Sequence, residues 1–475
     1  MSDDSYFDQL LGEPSRFGAM SSEDQFGIDP RELAQVQLRG IQQRFEEMRP
    51  KVNVLERLSE DLDITKIERA EDVTALCFPH TMYKSFAVSY IEDGRFDRMT
   101  RWLSTLTTVD LSGVDATGCD SLESWLNLLE ARTTLRPLCS SGTTGKISVF
   151  PKGEIEEMTR FNNQLVIHGP WPGEPDSRLA GGKLDFFCPW PVSTGRHNFP
   201  NNFKMLRKHL YGGDDSRVHV LGDAHWDIDV LWLAGRIRAA EAKGQLSELR
   251  LNPKMQALRD RLTQQQAAGK DNIDKFLHEL LVEYAERPVF LFAPFNLLIP
   301  LAQEAKKRGM KAKFSPDSYV LGGGRSGSKG MIFPDDWMEQ IMEIFPAEYQ
   351  QVFGMTEMTV ACRRCTAGHH FHLPPNIVPF LIDPDTSQPL PRTGVQTGRY
   401  AFYDLYAQTH WGGIITGDRL TINFDGGCAC GRTGPYVHED IERYSNLRDD
   451  DKITCAKSPE AYEKAVELTL GAIHE

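Results

Sequence analysis

From Asp29-Pro30 onward, apolar Leu33, Val36, Ile41, Phe45 and Met48 recur at mostly helical spacing among charged residues, the pattern of an amphipathic helix. "MTRWLSTL" and "SLESWLNLLEA" continue helical patterns, so the N-terminal quarter reads as mainly α. Residues 1–28, polar and acidic at both ends, read as a mobile arm. Beyond residue 138 the pattern changes. Short apolar runs, "KLDFFCPW", "SRVHVLG" and "PVFLFA", alternate with helical stretches such as "DNIDKFLHELLVEYAE" and "LLIPLAQEAKKRG". Strand and helix in alternation predict an α/β sheet, at least partly parallel. "SYVLGGGRSGSKG" then runs from an apolar strand into a Gly-rich turn, and "YQQVFGMTEMTV" holds a strand ending at Phe353-Gly354. In α/β sheets such strand ends are where ligands bind. No internal repeat interrupts the order.

Composition narrows the class. A chain of 475 residues, 40% hydrophobic, can fill a sizeable core. A formal charge of −14 argues against nucleic-acid partners and adsorption to anionic membranes. The most apolar stretch, from Pro288, is broken by Pro294, Asn296 and Pro300, short of a membrane span. The N-terminus has neither a basic nor an apolar signal region, so a cytoplasmic location is expected. Nine cysteines without such a signal favour reduced thiols. Cys362, Cys365, Cys428 and Cys430 gather in one C-terminal region with His369, His370 and His372.

Several stretches carry candidate chemistry. "LCSSGTTGKISVFPKG" packs Ser140, Ser141, Gly142, Thr143, Thr144, Gly145 and Lys146 into seven positions. Glycines admit backbone N–H groups to an anion, hydroxyls add donors and Lys146 adds a point charge. The spacing is not that of a Walker A loop, and an ordinary loop remains the alternative. Thr356 and Glu357 stand where a strand meets the ligand edge, and a hydroxyl with a carboxylate suits a magnesium ion bridging phosphates. Asp418 falls in a Thr-Gly-Asp turn between two apolar runs, where a simple Asx turn is the bland reading.

A Ser/Thr/Gly loop, a Gly-rich strand end, F-G-x-T-E and T-G-D, in that order, resemble the adenylate-forming superfamily. That superfamily activates a carboxylic acid with ATP to an acyl adenylate and pyrophosphate. "SSGTTGK" followed by Ser148 is similar to the phosphate loop of the phenylacetate–coenzyme A ligase family. "FLIDPDTSQPL" and "CACGRTG", with Arg432, resemble that family too. "LGGGRSG" with "FGMTE" also resembles the acyl-protein synthetases that serve bacterial luciferase systems. The resemblance implies an α/β fold: an adenylate-forming N-terminal core of mixed sheets flanked by helices, with a small β subdomain. The corresponding division is an arm over 1–28, a helical part over 29–130, and an adenylation core over 131–448. That core holds a zinc-stapled subdomain over 354–440, and a hinge remnant with a terminal helix follows over 449–475.

The same resemblance implies residue roles. Ser140 to Lys146 would wrap the β- and γ-phosphates, and Gly322, Gly323 and Gly324 would pass close to the adenine and acyl pocket. Phe353, Gly354 and Met355 would lie beside the nucleotide. Thr356 and Glu357 would meet the α-phosphate and magnesium, and Asp418 would accept from the ribose hydroxyls. Arg448 matches the hinge arginine, with Leu447 in place of the usual Gly and Asp450 as the hinge. Cys365, His372, Cys428 and Cys430 would form a closed structural zinc site. Cys362 or His370 remain alternatives to any one of these four, and closure argues against a zinc-dependent hydrolase.

Beyond the hinge the superfamily adds a mobile domain bearing a catalytic Lys, which has no evident counterpart here. Lys146, Lys452, Lys457 or a partner protein would have to supply the cation. Cys455 is a candidate acyl acceptor, since a thiolate attacking an acyl adenylate gives a thioester. The acceptor is otherwise a thiol, such as coenzyme A or a carrier protein, or an amine. The alternative is a catalytically reduced nucleotide-binding scaffold. "FFCPWPVSTGRHNFPNNF", with His197 and Asn198, is the expected acyl pocket for an aromatic or fatty acid. A symmetric homodimer is the default assembly.

Overall fold

A computed structural model describes residues 10–14, 20–140, 146–167, 171, 184–191, 194–222, 227–242, 244–245, 253–323 and 334–447. The chain is an α/β protein with mixed sheets flanked by helices. It divides into two compact units: Met1–Cys139 with Ser148–Glu174 and Met355–Glu475, and Ser140–Ile147 with Pro175–Gly354. The stretch expected as one core, 131–448, is therefore shared between both.

In the first unit, the side chain of Asp29 caps the Pro30–Met48 helix by accepting from the N–H groups of Arg31 and Glu32, with Pro30 in the first turn. Leu33, Val36, Ile41, Phe45 and Met48 are all buried, the face that the spacing predicts. Phe45 meets Trp411 edge to face. Helices Phe96–Ser104 and Leu122–Arg132 occupy the two other stretches read as helical.

A largely antiparallel sheet forms the second layer of this unit, in the order Phe371–His372, Tyr436–Val437, Gly413–Asn423, Val395–Asp404, Ile377–Ile382. Ile377–Ile382 is buried throughout. Phe78–Pro79 joins Gly413–Asn423 in parallel, with Phe78 opposite Ile414. Strands Leu138–Cys139 and Val149–Phe150 pair antiparallel, so the Ser/Thr/Gly loop connects two paired strands.

The arm expected over 1–28 is packed where it is described. Ser22–Phe26 is a short helix with Ser22, Gln25 and Phe26 buried. Ser22 Oγ donates to Val166 O at 2.6 Å, and Thr433 donates to the carbonyls of Phe26 and Ile28. A few apolar side chains in a polar stretch are enough to dock it.

The second unit is built on parallel strands in the order Val218–Val220, Asp185–Cys188, Val289–Phe292, Tyr319–Gly323, Glu348–Phe353. Each of the three predicted runs "KLDFFCPW", "SRVHVLG" and "PVFLFA" supplies one of them. Asp185–Cys188 and Val289–Phe292 are buried at every position, as strands covered on both faces must be. Helix Phe295–Lys307 contributes Phe295, Leu298, Ile299 and Ala302 to the core, and Trp337–Ile344 adds Ile341 and Ile344. Because the strands are parallel, Gly322, Gly323 and Phe353 share the C-terminal edge of the sheet, with Gly323 opposite Val352.

Candidate functional site

Asp418 does not lie in a turn. It sits inside the continuous strand Gly413–Asn423, opposite Arg443 of the short strand Glu442–Arg443. Between the pairs Arg399↔Arg419 and Ala401↔Ile415 the register shifts, so Thr416, Gly417 and Asp418 form a bulge across from Tyr400. The T-G-D signature is thus a strand irregularity, which re-aims a side chain without ending the strand. Asp418 is buried, its N–H donates to Thr416 Oγ1 at 3.1 Å, and its Oδ1 faces Arg443 Nε at 3.2 Å. Arg399 donates to Thr416 O, and its guanidinium lies over the Tyr444 ring, 4.3 Å from the centroid.

Thr356 and Glu357 belong to the same unit as Asp418. Thr356 is buried and Glu357 half-buried. Burial pushes the Glu357 carboxyl above the usual carboxylate range; Arg443 and Lys152 pull it down and Asp418 pushes it up. Glu357, Asp418 and Arg443 are therefore close enough to act on one another. The Thr356 hydroxyl and the Glu357 carboxyl are oxygen donors, the kind a hard cation takes.

Sequence reasoning missed Lys152, Glu156, Arg160, Asn163, Asp404 and His410. Lys152 is 2% exposed and donates from Nζ to Glu357 O at 3.1 Å. Burial lowers it to about 8. Arg160 Nη2 donates to Met358 O at 3.0 Å, and Thr359 N–H donates to Asp404 Oδ2 at 2.8 Å. Glu156, opposed by burial but held by His410 and Lys152, falls to about 2. It accepts from Gln408 N–H, Thr409 Oγ1 and Gly153 N–H. The one cue in the chain was that Lys152 and Glu156 flank a Gly after an apolar pair, which is too ordinary to single out.

Of the remaining expected nucleotide contacts, Ser140, Lys146, Gly322, Gly323, Phe353 and Gly354 belong to the second unit and Met355 to the first. Ser140 and Lys146 are both partly exposed; Ser141, Gly142, Thr143, Thr144 and Gly145 lie outside the described residues, as does Gly324. Gly322 and Gly323 end the Tyr319–Gly323 strand. A Cβ on Gly322 would meet Tyr349 Oη at 2.5 Å and Phe295 Cε1 at 2.8 Å, so close packing alone demands glycine there. Phe353 is buried and Gly354 exposed; Met355, the first residue of the returning segment, is partly exposed. His197 and Asn198 stand at the start of helix Asn198–Leu210, and burial lowers His197 to about 4. Arg448, Asp450, Lys452, Cys455 and Lys457 lie outside the described residues.

The cysteine-histidine region resolves into one group. The ligand atoms of Cys365, His372, Cys428 and Cys430 all lie within 4.8 Å of one another. Cys365 Sγ and Cys428 Sγ are 3.6 Å apart, and Cys430 Sγ and His372 Nε2 are 3.2 Å apart. Zinc bonds of about 2.3 Å to sulfur and about 2.0 Å to nitrogen put tetrahedral edges at roughly 3.5–3.8 Å, so the donor set fits zinc. Cys362 stands outside the group, its thiol pushed up by burial. His370 instead stacks on Tyr436, with centroids 4.3 Å apart. The local geometry follows from the turns: Cys365 N–H donates to His370 O across a turn that carries His369 at φ 57°. Gly431 follows the second cysteine pair at φ 82°, in the left-handed region that favours glycine. A Cβ on Gly368 would meet Cys428 Sγ at 2.5 Å, so this glycine keeps the cradle open.

No protein-family model and no curated protein matches the chain. Among solved structures, it is similar to a 2-hydroxyisobutyryl-CoA ligase in complex with 2-HIB-AMP and CoA, with a TM-score of 0.48 and 14% identity over 87% of this chain and 70% of that one. It is also similar to ATP-bound MatB from Rhodopseudomonas palustris, with a TM-score of 0.34 and 14% identity over 64% of this chain and 46% of that one. The amide bond synthetase McbA from Marinactinospora thermotolerans gives a TM-score of 0.28 and 14% identity over 55% and 42%.

The cluster is tied to its surroundings by Arg432 and Trp171. Trp171 Nε1 donates to Cys430 O at 2.6 Å, and the Arg432 guanidinium lies 4.4 Å from the Trp171 ring centroid and 5.7 Å from that of Phe26. Among the described residues, no helix is long and apolar enough to cross a membrane.

Proposed function

We propose that this chain activates a carboxylic acid with ATP, forming an acyl adenylate and pyrophosphate, as the adenylate-forming superfamily it resembles does. The observation that carries the reading is that Thr356 and Glu357 fall in one unit with Asp418, apart from them in the sequence, where Asp418 Oδ1 faces Arg443 Nε at 3.2 Å. Glu357 and Thr356 would hold magnesium, which neutralises phosphate charge as the acid's carboxylate attacks the α-phosphorus. Asp418, an acceptor in a strand bulge, would take the ribose hydroxyls. Ser140 to Lys146 would cradle the leaving pyrophosphate through N–H groups, hydroxyls and the Lys146 charge. Gly322, Gly323 and Gly324 would admit the adenine, and Arg448 would reach the ribose or phosphate. The adenylate would pass to a thiol (coenzyme A, a carrier or Cys455) or to an amine. Cys365, His372, Cys428 and Cys430 would hold zinc as a closed structural set.

ATP–pyrophosphate exchange over a panel of aryl, branched and long-chain acids tests the reading. We expect exchange with at least one acid and a loss of about a hundredfold or more in Glu357→Gln, in line with the removal of one preorganised charge contact. Silence of the folded wild-type protein across the panel would overturn it.

A further inference from the structure

Glu357 opens a segment, residues 357–361, that is neither helix nor strand. Backbone groups buried away from a ladder need other partners. Here side chains provide them in succession. Glu357 O accepts from Lys152 Nζ at 3.1 Å, Met358 O accepts from Arg160 Nη2 at 3.0 Å, Thr359 N–H donates to Asp404 Oδ2 at 2.8 Å, and Ala361 N–H donates to Asn163 Oδ1 at 3.3 Å. Lys152, Arg160, Asn163 and Asp404 are each no more than 3% exposed.

Their own remaining polar groups are held in turn. Asp404 Oδ1 accepts from Asn376 Nδ2 at 2.8 Å and from Tyr406 N–H at 3.0 Å. Glu156, equally buried, lies 3.3 Å from His410 Nδ1 through Oε1 and acts on Lys152 and Arg160 by charge. Burying two cations and two carboxylates costs several kcal/mol per ion unless they are paired and hydrogen-bonded. Neutral side chains could satisfy the same two carbonyls at lower cost. What charged groups add is strength: a charge-assisted hydrogen bond is stronger than a neutral one, and three of these with the neutral Asn163 bond, spaced over five residues, leave the backbone little freedom.

We propose that Lys152, Arg160, Asn163 and Asp404 form a clamp of positioning residues that fixes the backbone of 357–361 and thereby aims the Glu357 carboxylate. The clamp itself rests on hydrogen bonds alone; only its service to a magnesium-holding Glu357 rests on the function proposed above. Lys152 touches the backbone of the residue it positions, so its effect on chemistry passes through Glu357.

The test pairs hydrogen exchange with magnesium titration. In Lys152→Met and, separately, in the milder Asn163→Ala, we expect the Thr359 and Ala361 amides to exchange at least tenfold faster while amides of the Ile377–Ile382 strand keep their protection. In the pyrophosphate exchange assay, the magnesium concentration at half-maximal rate should rise about five- to tenfold, and Lys152→Arg should recover part of that shift. A merely structural lysine would lower the amount of folded protein and leave this midpoint unmoved. If Lys152→Met does not fold, Asn163→Ala decides. Unchanged protection at Thr359 and Ala361 in a folded variant overturns the clamp, and faster exchange with an unmoved magnesium midpoint overturns its role in aiming Glu357. If wild-type protein shows no pyrophosphate exchange, the functional reading fails on its own, and the amide rates still decide whether the clamp exists.

Discussion

At the scale of single residues, two glycine-adjacent positions show how a signature residue can serve packing and site at once. Gly322 ends a strand at the ligand edge of the parallel sheet, yet the nearest obstacles to a side chain there are Tyr349 Oη at 2.5 Å and Phe295 Cε1 at 2.8 Å. Tyr349 is half-buried, with its hydroxyl oxygen buried and unpartnered among the described residues, and its ring packs on Phe295, with centroids 5.9 Å apart. Gly322→Ala should lose about 1–3 kcal/mol of stability, the usual cost of overpacking. In a Tyr349→Phe background the same substitution should lose less, because the closest atom is gone while the Phe295 contact remains. Urea denaturation of the four proteins in that cycle reads the coupling, and an equal loss in both backgrounds would show that the hydroxyl is not the obstacle. Asp418 offers the converse case: its sequence context reads as a turn, and its geometry is a bulge held by Thr416 and Arg443.

At the scale of elements, what was legible in the sequence was what local pattern encodes. The Pro30–Met48 helix follows from apolar spacing and its Asp cap, and the parallel strands from short apolar runs between helices. The four metal-type ligands stood out because Cys, His and Gly at turn spacing form a local signal on each arm, even though the arms meet only in the fold. The clamp around Glu357 was not legible, since Lys152, Arg160 and Asp404 come from separate elements and each looks like an ordinary surface charge in its own neighbourhood. The bulge at Asp418 was hidden for a related reason: it is defined by the strand opposite. The Cys-His arms also predict an outcome of their own. Purified folded protein should carry about one zinc per chain, and its removal by a chelator should lower the melting temperature and open Cys365, Cys428 and Cys430 to thiol reagents. Because Thr433 and Arg432 link this turn to Phe26 and Trp171, the Ser22–Phe26 helix should become protease-sensitive at the same time. Substoichiometric zinc in undenatured protein, by elemental analysis, would remove the staple from the account.

At the scale of the whole molecule, the buried ionisable groups set how stability depends on pH, and four of them, His80, His197, Glu156 and Lys152, are lowered. His80, desolvated and facing Lys84, Arg443 and Arg399, is lowered from 6.5 to about 3, and His197 is lowered by burial to about 4. Both are neutral in the folded chain. As pH falls below 6.5 the unfolded chain takes up protons that the folded chain refuses, so stability drains away from about pH 6.5 down toward those folded values. Glu156 extends the loss: its folded value of about 2 lies below the ordinary 4.5, so the stability its pairing contributes above pH 4.5 is lost as pH falls from there toward 2. Lys152, lowered from 10.5 to about 8, acts at the other end, since the unfolded chain binds more protons between those values and stability rises with pH across that window. The contribution of these four groups rises with pH, below 6.5 through the histidines and Glu156 and again between about 8 and 10.5 through Lys152. Each histidine can contribute at most about 1.4 kcal/mol per pH unit between its folded and unfolded values. His80→Gln removes one such group, so between pH 5 and pH 6.5 the urea midpoint of this variant should depend less steeply on pH than that of the wild type. Equal slopes in that interval would mean that His80 is protonated in the folded chain, and that the carbonyl of Ile415 rather than burial governs it.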